Sequence, residues 1–183
     1  VVAIDPPAKT NEIPEDGAAC GIIAAGLGED KRGYVLDDGT IRASPNGWAR
    51  RAVALYARYD GDCIVGEVNN GGEMVEATIR SVRPTVPYRA VHASKGKWTR
   101  AEPVAALYEQ GMVSHVGTFA ELEDEMVIFG PNGLADGLSP DRLDALVWAV
   151  SALFPGVVQP KIEVVPFVIP QGRVTHWPKA ARV

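Results

Sequence analysis

Val1-Val2-Ala3-Ile4-Asp5-Pro6-Pro7 opens the chain with four apolar residues, an acid and two prolines. Three of the four are β-branched, which suits a short strand buried on both faces. Proline cannot continue a strand ladder, so the strand stops at Asp5 and leaves a carboxylate at its end. Cys63-Ile64-Val65-Gly66-Glu67 has the same form, a short buried strand that runs into an acid. If the two strands are neighbours, both carboxylates project from one edge of a sheet. A third acidic feature is Ser139-Pro140-Asp141-Arg142-Leu143-Asp144. Ser-Pro is a helix opening, with Ser as N-cap and Pro at the first position. Asp141 and Asp144 are three apart and therefore share a helix face.

The remaining elements follow from periodicity and turn chemistry. Residues 17–27 read as a second strand, rich in small side chains. Residues 33–36 and 40–41 flank Asp37-Asp38-Gly39, a hairpin turn signal, so three antiparallel strands are expected at the start. Ser44-Pro45 begins a helix with Trp48, Ala52, Val53 and Tyr56 on one face and Arg50, Arg51 and Arg58 elsewhere, Arg50 and Arg51 reading as a solvated face. A helix after Gly71-Gly72 carries Met74, Val75, Thr78, Ile79 and Val82 at helical spacing. A strand over 88–92, a basic loop over 95–100 and a helix from about Pro103 to Gly111 come next. A strand over 112–116, an acidic helix over 119–125 and a loop over 129–138 lead to the last helix. Leu143, Val147, Val150 and Phe154 form its apolar stripe, with Leu146 and Leu153 beside it. This order predicts an α/β fold, a mixed β-sheet with helices on both faces, whose site lies at the strand ends. Residues 1–154 form the predicted domain, and 155–183 a Pro-rich tail, extended in conformation.

Bulk properties narrow the function. A chain of 183 residues with 46% hydrophobic and 22% charged composition can bury the core of one such domain. No apolar run is long enough to span a bilayer and no secretory signal opens the sequence, so a cytoplasmic, membrane-free setting is expected. The start inside a strand predicts that the chain is cut from a longer protein with a domain upstream. Cys20 and Cys63 sit in apolar stretches without ligand spacing and read as reduced core residues. His92, His115 and His176 form no ligand pattern. The net charge of −5 argues against a wholly basic nucleic-acid coat. It permits a nuclease, in which acids concentrate at metal ions within a basic rim.

Each acid alone has an ordinary explanation. Asp5 can simply end a strand, Glu67 can be a solvated charge, Asp141 suits any helix start, and Asp144 can pair with an arginine. Together they make a cluster of like charges that needs neutralising. Hard divalent cations, bound by carboxylate oxygen, are the natural counter-charge. Two ions about 3.5–4 Å apart activate a water and stabilise the leaving oxygen in phosphodiester cleavage. Asp5, Glu67 and Asp141 are the predicted catalytic ligands, with Asp5 bridging two Mg²⁺ or Mn²⁺ ions. Asp144 is a further ligand or a support. No other cofactor site is evident, and a phosphate loop of the G-x-x-x-x-G-K-[ST] form is absent from the sequence.

The segments Val1 to Pro6, Gly66-Glu67-Val68-Asn69-Asn70-Gly71-Gly72 and Ser139 to Leu146 resemble the three acidic motifs of large terminase nuclease domains, those of tailed phages and gene transfer agents. The resemblance spans residues 1–154. It implies an RNase H-like fold and metal-dependent cleavage of concatemeric double-stranded DNA during genome packaging. It also implies an ATPase domain upstream, a portal and procapsid, and a small terminase subunit as partners, all in a bacterial host cell. The last motif is also similar to that of Holliday-junction resolvases.

For DNA contact the best candidates are Lys95, Lys97 and Arg100, three cations on a glycine-bearing segment after a strand that ends near the acids. Arg142 has two readings, contact with the scissile strand or balance of the carboxylates. Trp98 either stacks on a base or packs. Asn69 and Asn70 either orient Glu67, hold a metal-bound water or form a turn. Two rivals stand beside the terminase reading: another RNase H-like nuclease, such as a resolvase preferring branched DNA, and a non-catalytic module that docks on DNA or a portal.

Overall fold

A computed structural model describes residues 1–7, 19–69 and 72–156. The chain begins with three antiparallel strands, β1 (Val2–Asp5), β2 (Gly21–Leu27) and β3 (Gly33–Asp38). It continues through α1 (Pro45–Arg58), β4 (Ile64–Glu67), α2 (Gly72–Val82), β5 (Tyr88–Val91), α3 (Lys97–Glu109) and β6 (Val113–His115). After α4 (Ala120–Ile128), a two-residue ladder of β7 (Phe129–Gly130) and β8 (Gly133–Leu134) leads into α5 (Asp141–Leu153). Among the described residues six strands form one mixed sheet in the order β5-β4-β1-β2-β3-β6. β1, β4 and β5 run parallel, and β6 runs parallel to β3.

Strand alternation sorts the core into two layers. Val2, Ile4, Ile22, Ala24 and Ile64 point to one face and meet Trp48, Ala52 and Leu55 of α1 and Val75 and Ile79 of α2. Ala3, Ile23, Ala25, Val35 and Val65 point to the other and meet α3, α4 and α5 through Val104, Leu107, Leu122, Leu146 and Val150. The same parity puts Asp5, two residues after Ala3, and Glu67, two after Val65, on the α5 face. α5 is covered almost all round; Leu143 through Ser151 are buried without a break. That is the signature of a central helix rather than a surface one with a single stripe. Cys20 and Cys63 are buried free thiols.

Four local expectations change. The β2–β3 turn is not at Asp37-Asp38-Gly39 but at 28–32, closed by Gly28 N–H to the Arg32 carbonyl at 2.8 Å. Asp37 and Asp38 stay in β3, opposite Ala24 and Ile23, and the chain keeps running beside β2 to the Cys20–Ile41 bridge, so 40–41 starts no new strand. Asp37 accepts Arg58 at 2.9 Å and Tyr59 at 3.0 Å, which anchors it in the strand. The expected basic loop over 95–100 is half helix: Gly96 caps α3, Lys97 begins it, and Pro103 lies inside it. Finally, Pro140 rather than Ser139 is the cap residue of α5, because the Ser139 hydroxyl turns to the Asp141 carboxylate instead of the helix backbone. The tail after residue 156 and Asn70 lie outside the described residues.

Candidate metal-dependent nuclease site

The parallel register sets Ile4 opposite Gly66, which brings Asp5 and Glu67 side by side at the ends of β1 and β4. On the other side of β1, Asp5 is opposite Gly21. Gly21 is where α5 lands: a Cβ at that position would collide with the Asp141 carbonyl and press on Ala145. Glycine is therefore what lets the helix start approach the strand end. Ala19 N–H donates to the Asp141 carboxylate at 2.7 Å and ties the two together. One turn on, Asp144 faces the same way; it is only 3% exposed, and Asp141 9%.

Two cations enter the cluster from α3. Lys97 is bonded to Asp144. Arg100 bonds Asp144 at 3.0 Å and approaches Glu67 at 3.8 Å. Its guanidinium lies over the Trp148 ring, 4.8 Å from the centroid. Trp148 Nε1 donates to Glu67 at 2.9 Å and fixes that carboxylate from the helix side. The helical spacing Asp141, Asp144, Trp148 could have revealed this residue, because all three fall on one face.

Electrostatically the cluster is overloaded. Burial, then the charges of Asp144 and Glu67, and more weakly Asp141, push the Asp5 carboxyl well above the usual carboxylate range, against the pull of Lys97. Burial also raises Asp141, opposed by its bonds from Ser139 and Ala19. Although burial opposes it, Asp144 leads the carboxylates that hold the Lys97 ammonium above its ordinary value. The Cys20 thiol is raised by burial and by the nearby Asp5 and Asp141. Four carboxylates thus face two cations. Among the described residues no three acids, imidazoles or thiols are arranged to hold a metal ion. The donors nevertheless fit hard divalent cations in kind and charge: all are carboxylate oxygens, and Asp5 sits among like charges with no hydrogen bond from any described residue. Lys97 and Arg100 are what meet Asp144 in this arrangement.

The other candidates sort differently. Arg142 does not face the cluster's acids. It bonds Asp38 at 3.0 Å, Glu125 at 3.3 Å and Glu121, tying α5 to β3 and α4. The carboxylates it pairs with are thus not those of the site. Lys97 and Arg100, expected on an open loop, are instead turned into the cluster by the first turn of α3. Lys95 is exposed, and its carbonyl accepts Arg100 at 3.0 Å. Asn69 exchanges two 3.0 Å bonds with the Ala93 backbone, so it fastens the chain beyond β4 to the chain beyond β5 rather than orienting Glu67. Trp98 packs at a tilt on Phe129, with centroids 5.8 Å apart, and donates to Glu102.

Comparison with known proteins agrees with this architecture. The family model described as the terminase RNaseH-like domain matches residues 2–153. The yeast mitochondrial Holliday junction resolvase Ydc2 is similar in structure at a TM-score of 0.50 and 10% identity, over 83% of this chain and 78% of that one. RuvC of Thermus thermophilus gives 0.46 and 17% identity, over 89% of this chain and 100% of that one. No curated protein matches the sequence.

Proposed function

We propose that this chain, which belongs to the terminase RNaseH-like domain family, cuts double-stranded DNA by a two-metal mechanism at Asp5, Glu67, Asp141 and Asp144. RNase H-like nucleases generally use divalent metal ions. The observation that carries the reading is the convergence of two neighbouring strand-end acids with two acids on the first turn of α5. Asp5, Glu67 and Asp141 are the residues that would hold Mg²⁺ or Mn²⁺, with Asp144 as a further ligand or support. Bound there, such ions supply an activated water and stabilise the leaving oxygen. Trp148 holds Glu67 in place, and the Ala19 amide and Ser139 hydroxyl hold Asp141. Lys95, exposed beside the site, meets the DNA backbone. In the whole protein the domain serves genome packaging: it cuts concatemeric DNA beside an upstream ATPase domain, at a portal and with a small terminase subunit, in the host cytoplasm. Among the described residues no helix is long and apolar enough to cross a membrane.

The test is plasmid cleavage in Mn²⁺, Mg²⁺ or EDTA, comparing wild type with Asp5→Asn. Cleavage in the metals but not in EDTA, and lost in the variant, supports the site. A folded Asp5→Asn protein that cuts at the wild-type rate rules it out.

A further inference from the structure

Lys97 and Arg100 reach the same carboxylate, Asp144, yet they are held very differently. Arg100 has a side chain only 10% exposed, stacks on Trp148, bonds Asp144 and leans on Glu67. It has several anchors in a rigid setting. Lys97 has a side chain 44% exposed, and Asp144 is the sole partner of its ammonium among the described residues. A lysine ammonium is a compact charge on a flexible stem, whereas a stacked guanidinium is fixed by its plane. Asp144 itself is 4% exposed on its side chain, so it cannot turn to water if its partners leave. Whatever replaces Lys97 has to bring positive charge.

We propose that Lys97 is a tethered counter-cation that competes with a divalent ion for Asp144 and is displaced when that ion binds. This rests on the metal-site reading above. With both α3 cations in place, four carboxylates carry an excess of two negative charges, which one divalent ion balances. A second ion would leave an excess of two positive charges, which withdrawal of one cation halves and an arriving anionic backbone balances. Lys97 is the one that can withdraw, because its stem reaches solvent at the first turn of α3. Arg100 remains and keeps Glu67 and Asp144 in register. Lys97 is thus a positioning residue for the loaded state: it holds the acids together without metal and yields its place to metal.

The experiment is calorimetric titration of the metal-free full chain with Mn²⁺, without DNA. Wild type is compared with Lys97→Gln, Lys97→Arg, Lys95→Gln and Asp5→Asn. Loss of a competing charge at contact distance is expected to tighten Mn²⁺ binding about tenfold in Lys97→Gln. Lys97→Arg keeps the charge and should stay within about twofold of wild type. Lys95→Gln removes an equal charge in solvent and should also change little, which separates a specific contact from the general field. Lys97→Met keeps the apolar stem and repeats the test should the glutamine variant fold poorly by circular dichroism. Unchanged or weaker Mn²⁺ binding in a folded Lys97→Gln or Lys97→Met protein overturns the proposal, as does equal tightening by Lys95→Gln. If wild type binds Mn²⁺ through Asp5 but Lys97 has no influence, only this inference falls. If wild type binds none, or Asp5→Asn binds as well as wild type, the metal site falls with it.

Discussion

Asn in place of Asp5 should make the metal-free protein more stable while abolishing its chemistry. Asp5 sits beside Glu67 and under Asp141 and Asp144, and its carboxyl is raised well above the ordinary range by burial and by those charges. Two like charges about 5 Å apart cost about 3 kcal/mol at an effective dielectric of about 20. Three acidic neighbours exceed what Lys97 and Arg100 offset, so a net penalty of about 1–3 kcal/mol at neutral pH is a fair scale. The sign follows from proton linkage. With a folded value above the unfolded one, the native state binds the extra proton, so stability falls as pH rises. The penalty is absent below the unfolded value of about 4, grows above it, and is complete once pH passes the raised folded value. Asp5→Asn removes this penalty. In EDTA at pH 8 its melting temperature should exceed wild type by about 3–8 °C, and the gap should close toward pH 4. Saturating Mn²⁺ should reverse the order, since a ligand at about 100 times its Kd stabilises by about 2.7 kcal/mol and the variant lacks one of the proposed carboxylate ligands. Differential scanning fluorimetry over a pH series, with EDTA or Mn²⁺, reads all of this. A variant less stable than wild type in EDTA at pH 8 would refute the claim that these acids strain one another.

Three further outcomes follow from single contacts. Gly21→Ala drives a methyl into the Asp141 carbonyl and should cost about 2–4 kcal/mol in urea unfolding, with cleavage lost as α5 lifts from the strand end. Trp148→Phe keeps the ring under Arg100 but removes the bond to Glu67; a loss of about 1 kcal/mol and about a tenfold drop in plasmid nicking are expected, the second measured at saturating Mn²⁺. Arg142→Met leaves Asp38 and Glu125 without their shared cation and should cost about 1–3 kcal/mol, while a gel-shift affinity for duplex DNA stays within twofold of wild type in the folded protein.

The acids were legible because each ends or begins an element whose identity is local. Asp5 follows a β-branched run and precedes two prolines, Glu67 closes a short apolar strand, and Asp141 and Asp144 open a helix. Parity then does the rest: two residues from Ala3 and from Val65 lead to the same face whatever the sheet order. The mixed sheet with helices on both faces followed from the same periodicities. The turn at 28–32 was missed because Lys31 takes φ 65° without a glycine, whereas Asp37-Asp38-Gly39 offers a stronger local signal that the register with β2 overrides.

What the sequence hid is where the cations go. Arg142 reaches Asp38 across 104 residues, and Arg100 reaches Asp144 across 44. Neither pairing has a periodicity, since each depends on how one helix docks on another. Local reading therefore assigns Lys95, Lys97 and Arg100 to an absent anion, DNA, and leaves Arg142 between that and the carboxylates. The fold makes an earlier demand. Buried carboxylates must be compensated before any substrate or ion arrives, or the elements that carry them will not close on one another. α3 meets that demand by beginning six residues before its proline, which turns Lys97 and Arg100 inward. The basic segment is first a requirement of assembly, and only a charge that can leave Asp144 without unfolding the site is available for anything else. By its exposure and its single anchor among the described residues, that charge is Lys97.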